Sequence, residues 1–117
     1  MAKAKKMKAT ITFEDFSKID LRVGTIIEVS DFLEAKKPAY QLTIDFGYLG
    51  IKKSSAQITT LYKKEDLLGK QIVATINFPK KQIAKFMSAC LVLGAVMGKD
   101  VILLNPETKV KNGSIVS

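Results

Sequence analysis

The sequence predicts an all-β domain: a small Greek-key barrel of five main strands, with a short helix between the third and fourth and another short helix at the N-terminus. Three observations predict it. Apolar and polar residues alternate at period two through residues 20–30 and 40–46, the pattern of half-buried strands. Gly47, Gly50, Gly69 and Pro79 punctuate the chain between apolar runs of strand length. With 117 residues and 47% hydrophobic content, the chain supports one modest core and is too apolar to be largely disordered.

The elements follow in order. Residues 1–9 read as a flexible basic tail and residues 10–117 as the domain. Thr12-Phe13-Glu14-Asp15 has the form of a weak capping box, and Phe13, Phe16 and Ile19 recur at helical spacing, so a short amphipathic helix starts here. It docks its aromatics either on this domain or on another subunit. In the first strand, Leu21, Val23, Thr25, Ile27 and Val29 share one face, and Gly24 marks a bend or bulge. The loop 31–39 carries Lys36-Lys37-Pro38. Tyr40, Leu42, Ile44 and Phe46 then point inward on the second strand, and the third runs from Ile51 to Ile58. A short helix capped at Thr59 or Thr60 passes through Leu61 and Tyr62, and a turn at Glu65-Asp66 closes at Gly69. The fourth strand, Gln71–Phe78, places Ile72, Ala74, Ile76 and Phe78 inside. Ile83–Phe86 reads as a connector of about one helical turn. Residues 87–97 form the fifth strand, 101–104 a further short one, and Asn112-Gly113 a turn before Ile115-Val116. Five strands with a helix between the third and fourth is the layout of an OB-fold.

Charge is distributed unevenly. The formal net charge is +8, but residues 51–91 hold eight lysines against two acids, while residues 9–50 are mildly acidic. A directional basic surface of this kind suits a polyanion. Chemistry of other kinds is missing from the sequence. There is no histidine, and the single cysteine, Cys90, lies in an apolar run, as a buried inert thiol would. Gly69-Lys70 and Gly98-Lys99 lack the spacing of a phosphate-binding loop. The reading is therefore no enzyme, no cofactor and no metal site. The longest apolar run is too short for a bilayer span, and no leader-like segment follows the N-terminal lysines, which points to the cytoplasm.

For a polyanion with exposed bases, Lys52, Lys53, Lys80, Lys81 and Lys85 are the phosphate-binding candidates. Ser54, Ser55, Gln57, Asn77 and Ser88 are candidates for directional contacts. Phe86, or Tyr48 or Tyr62, would supply a stacking platform.

The segments IDLRVGTI (19–26), YQLTIDFG (40–47), KKSSAQI (52–58), INFPKKQIAKFMS (76–88) and LVLGA (91–95) together resemble the tRNA-binding domain family, found as free dimers and as appendages of methionyl- and phenylalanyl-tRNA synthetases. KKSSAQIT, INFP and QIAKF are most similar to its free-standing CsaA branch, whose members are described as secretion chaperones. The resemblance implies an OB-fold, a homodimer, no catalysis, and affinity for tRNA or for unfolded export-bound polypeptide. It maps the family's binding face onto Lys53, Ser54, Ser55, Gln57, the Asn77-Phe78-Pro79 element and Ser88. This chain departs from the branch at Lys85, Met87 and Ala89, where small, basic and acidic residues are usual, and has Lys37-Pro38 where synthetase appendages carry His-Pro.

Three binding partners stay open: tRNA or another structured RNA, an unfolded preprotein, or an acidic protein in an assembly. Met87, Phe86 and Ile83 would serve a polypeptide client. Phe13, Phe16, Leu91, Leu93, Val101 and Leu103 exceed what one small barrel readily covers and are the expected homodimer interface.

Overall fold

A computed structural model describes residues 6–117 of the chain. The first five residues of the expected tail lie outside the described residues, and residues 6–11 are exposed with no regular structure. Helix α1 spans Phe13–Ser17 and is closed by the capping box that the sequence announces: Thr12 Oγ1 accepts from Asp15 N at 3.1 Å, and Asp15 Oδ2 accepts from Thr12 N at 3.4 Å. The main sheet uses β1 (Leu21–Asp31), β2 (Tyr40–Asp45), β3 (Ile51–Ala56) and β4 (Gln71–Thr75). Helix α2 (Lys64–Leu67) falls between β3 and β4. Then come β5 (Lys81–Ile83), β6 (Phe86–Ser88), β7 (Leu91–Val92), β8 (Gly94–Met97), β9 (Asp100–Leu103) and β10 (Ile115–Val116).

The antiparallel strand order is β3-β2-β1-β4-β7, with β10 added to the start of β1. The barrel nearly closes where Ala89 N donates to Lys53 O at 2.8 Å, joining the chain ahead of β7 to β3. This is the expected five-stranded barrel of OB type. Its core gathers Ile26, Leu42, Ile44, Phe46, Ile58, Leu67, Ile72 and Ala74. Tyr62 braces it from the side: its hydroxyl accepts from Leu103 N at 3.0 Å, and its carbonyl accepts from Tyr40 Oη at 2.8 Å.

Several local expectations are corrected. Strand β1 does not keep one face throughout. Its register shifts between Ile26 and Glu28, so Gly24 and Ile26 face the core in the first half and Val29 in the second. Gly24 serves another purpose: a Cβ there would stand 2.6 Å from Ile44 Cγ2 and 2.8 Å from the Phe46 ring, so its missing side chain lets β1 and β2 close over the core. The helix between β3 and β4 starts at Lys64, on the residues expected to turn, because Asp66 Oδ2 reaches back to Lys63 N at 3.0 Å. The fourth strand ends at Thr75, leaving Phe78 exposed. Ile83–Phe86 is the tight end of a β5–β6 hairpin, and the single strand expected over 87–97 breaks into parts of β6, β7 and β8.

Candidate nucleic-acid interface

The β5–β6 hairpin stands apart from the main sheet and is anchored by a second apolar cluster. Phe86 packs on Phe32 with ring centroids 5.2 Å apart, joined by Ala39, Ala35 and Ile83. That cluster ties the hairpin to the loop between β1 and β2. Between the two opens a cleft of about 700 Å³, and the outer edge of β3 supplies part of its lining. Lys36 and Lys37 come from the loop, Lys81 and Gln82 from the hairpin, and Ser55 and Gln57 from β3 and just beyond it. In an OB-fold, the loops joining strands one to two and four to five flank the nucleic-acid face, and this cleft lies between the corresponding segments.

Strand geometry separates the candidates on β3. Thr43 faces Lys53 and Gln41 faces Ser55 across the ladder, whereas Leu42 faces Ser54 and Ile44 faces Lys52. Directly opposed residues share a sheet side. Lys53 and Ser55 therefore look outward, and Lys52 and Ser54 look toward the core. Ser54 is 1% exposed, with its hydroxyl donating to Ser55 O at 3.3 Å, so burial removes it from the ligand-contacting set. Lys52 is half-buried at the barrel rim.

Phe86 is 9% exposed and spent on Phe32, so it is no stacking platform. Tyr62 is committed to the brace already described, and Tyr48 accepts from Arg22 Nη1 at 2.8 Å. Asn77 is exposed, but its amide is a clip. Its Nδ2 donates to Lys18 O at 2.7 Å, and its Oδ1 accepts from Asp20 N at 2.9 Å, which fastens the end of α1 to the barrel. Ser88 lines a smaller depression with Phe78, Pro79, Lys81 and Leu91. Lys85 borders a third with Glu34 and Gln41, next to the main cleft. Lys81 bridges the cleft and the Ser88 depression, and Lys80 is exposed beside it. Sequence reasoning passed over Lys36, Lys37 and Gln82. The available signal was the loop's place between the first two strands of an OB layout.

Electrostatically the face is open. Among the described residues the ion pairs are Lys18–Asp15, Arg22–Asp20 and Lys64–Asp31, so Lys36, Lys37, Lys53, Lys81 and Lys85 keep their charges uncommitted. Cys90 lies beneath this face and donates to Lys53 O at 3.7 Å. Burial pushes its thiol up to about 11, against the opposing pull of Lys52 and Ser54. At neutral pH it is a protonated packing group.

Residues 21–115 match the tRNA binding domain family, which covers every strand of the barrel and the cleft. The chain belongs to the tRNA-binding domain family. The methionine–tRNA ligase of Pyrococcus horikoshii is 38% identical over 114 residues, 97% of this chain but 16% of the ligase, so the chain spans a small part of that relative's length. Two solved structures match along their whole length. The chaperone CsaA from Bacillus anthracis is 53% identical with a TM-score of 0.89, covering 93% of this chain and 100% of that one. The CsaA chaperone protein from Picrophilus torridus is 56% identical with a TM-score of 0.87, covering 92% and 100%. As a tRNA-binding domain of the CsaA type, this chain has the expected barrel. Among the described residues no helix is long and apolar enough to cross a membrane.

Proposed function

We propose that the chain binds tRNA through the lysine-rimmed cleft between the 31–39 loop and the β5–β6 hairpin, as a non-catalytic, cytoplasmic homodimer. One observation carries the reading: Lys36, Lys37 and Lys81 converge from two separate segments on one cleft, with Ser55 and Gln57 on the strand beside it. Lysines scattered for solubility have no reason to converge. Lys53, Lys80 and Lys85 extend the basic surface around the cleft and supply further phosphate contacts, while the serine hydroxyl and glutamine amide supply directional ones. Family membership supports the choice of tRNA as the polyanion.

The experiment is a titration of labelled bulk tRNA at several salt concentrations, with an unfolded polypeptide as competitor. Binding through n lysine–phosphate contacts weakens steeply as salt rises, with a log–log slope of about −0.7n to −0.9n. The two solved relatives are described as chaperones. Weak tRNA binding beside tight, salt-tolerant polypeptide binding would give the cleft to that second ligand, with Ile83 in the cleft and Met87 exposed on the neighbouring β6 as its apolar contacts.

A further inference from the structure

We infer that the cleft takes an unpaired guanine, with the Glu34 carboxylate accepting hydrogen bonds from N1–H and the N2 amino group of its Watson–Crick edge. The inference rests on the tRNA reading above and deepens it.

Three observations carry it. The first is size. An open cleft of about 700 Å³ has room for one nucleotide, within the ~300–1,000 Å³ typical of sites for small organic ligands. The second is the mixture of linings. Ala35, Ile83 and Ala84 offer apolar surface for the faces of a base, and Lys36, Lys37 and Lys81 line the same cleft and supply charge for its phosphates. A site for duplex phosphate alone has no use for the apolar part.

The third is Glu34, the one acid lining a cleft that also carries three lysines. It joins none of the ion pairs among the described residues. Toward phosphate alone, this carboxylate is a like charge and costs affinity. An ionised carboxylate is acceptor-only, so a ligand that profits from it must present donors. Guanine is the RNA base with two adjacent donors on its Watson–Crick edge, matching two carboxylate oxygens. Uracil presents one imino group between two carbonyl oxygens, and adenine and cytosine each present one amino group beside a ring acceptor. Gln57 and Ser55 lie in the same cleft and can serve the guanine O6 and the ribose hydroxyls. The Gln82 amide is held in place by its own Nε2 donating to Ala84 O at 3.1 Å.

The test uses RNA pentamers of sequence UUGUU, UUIUU (inosine at the centre) and UUAUU, with tRNA titrated alongside at the same salt. The pentamers carry equal charge, so phosphate contacts cancel in the comparison. Inosine lacks only the N2 amino group. Guanine should bind roughly tenfold more tightly than inosine, the loss expected for one hydrogen bond to a charged group. Glu34→Ala should abolish that preference, weakening UUGUU by the loss of its two acceptor contacts while UUAUU, which only feels the like charge, binds as tightly or more so. Glu34 sits exposed in a turn, so the fold is not at stake. Equal affinities for the wild-type protein, or a guanine preference that survives Glu34→Ala, would overturn the inference. Salt-sensitive tRNA binding without base preference removes the guanine and keeps the phosphate reading; absent tRNA binding removes both.

Discussion

Ser54 and Ser55 are adjacent in sequence and opposite in circumstance, one sealed in the barrel and the other lining the cleft. The difference was legible in principle. Period-two alternation opposes Ser54 to Leu42, an inward residue of an unambiguous strand, but reading KKSSAQ as one polar block concealed it. Asn77 was less accessible, because its partners Lys18 and Asp20 lie far away in sequence and only the folded chain shows the amide spent on them. Cys90 was read correctly as a buried thiol, and its burial has a pH signature. The folded protein holds the protonated form, with the thiol raised from 9.0 to about 11. Its contribution is therefore full below pH 9 and is lost as pH rises through 11, roughly 2–3 kcal/mol in all. Denaturant unfolding of wild type and Cys90→Ala across pH 8–11 should show wild type losing ground to the variant above pH 9. Parallel curves would mean that the thiol is not buried as described.

At the scale of elements, β2 and the helix cap of α1 were plain in the sequence because each is a local pattern. The β5–β6 hairpin was not. Its two-residue tip is Ala84-Lys85 in place of the usual Asn-Gly or Asp-Gly, and Ala84 takes φ 53°, a conformation that favours glycine. The bulge at Ile27 was likewise hidden, since Ile26 and Ile27 are equally apolar and either could face inward. The hairpin has its own small core, so it should loosen independently of the barrel. Phe86→Ala removes the ring that packs on Phe32 and should cost about 3 kcal/mol. Hydrogen exchange should then show lost protection in residues 81–88, with the amides of β1, β2 and β4 still protected, and tRNA affinity should fall along with the hairpin. Uniform loss across the chain would place the hairpin within the main cooperative unit.

On the scale of the whole molecule, segment charge predicted a basic face but located it only in part. The +6 stretch supplies Lys81 and the β3 edge, yet Lys36 and Lys37 come from the mildly acidic first half and join them only through the fold. Net charge along a chain carries no information about which loops meet. The expected dimer surface shifts for a similar reason. Leu103 is 8% exposed and belongs to the core, and Val101 packs against that core. The exposed large apolar residues of the β8–β9 hairpin are Val96, Met97 and Ile102, while Phe13 on α1 is 80% exposed and Leu91 is half exposed. Such surface is more apolar than an isolated domain needs. Sedimentation should give dimers for wild type and monomers for Phe13→Asp or Val96→Asp; unchanged dimers would exclude these elements from the interface.

The central claim is that RNA is held by a particular cleft and not by positive charge at large. Lys37→Glu and Lys109→Glu change the net charge equally, but Lys37 lines the cleft and Lys109 is exposed on the segment leading to β10. The deciding measurement is the dissociation constant of tRNA for the two variants at one fixed salt concentration. Lys37→Glu should weaken binding roughly tenfold or more, through one lost phosphate contact and one added repulsion, with Lys109→Glu close to wild type. Equal losses from both would contradict the account and leave only a diffuse electrostatic attraction.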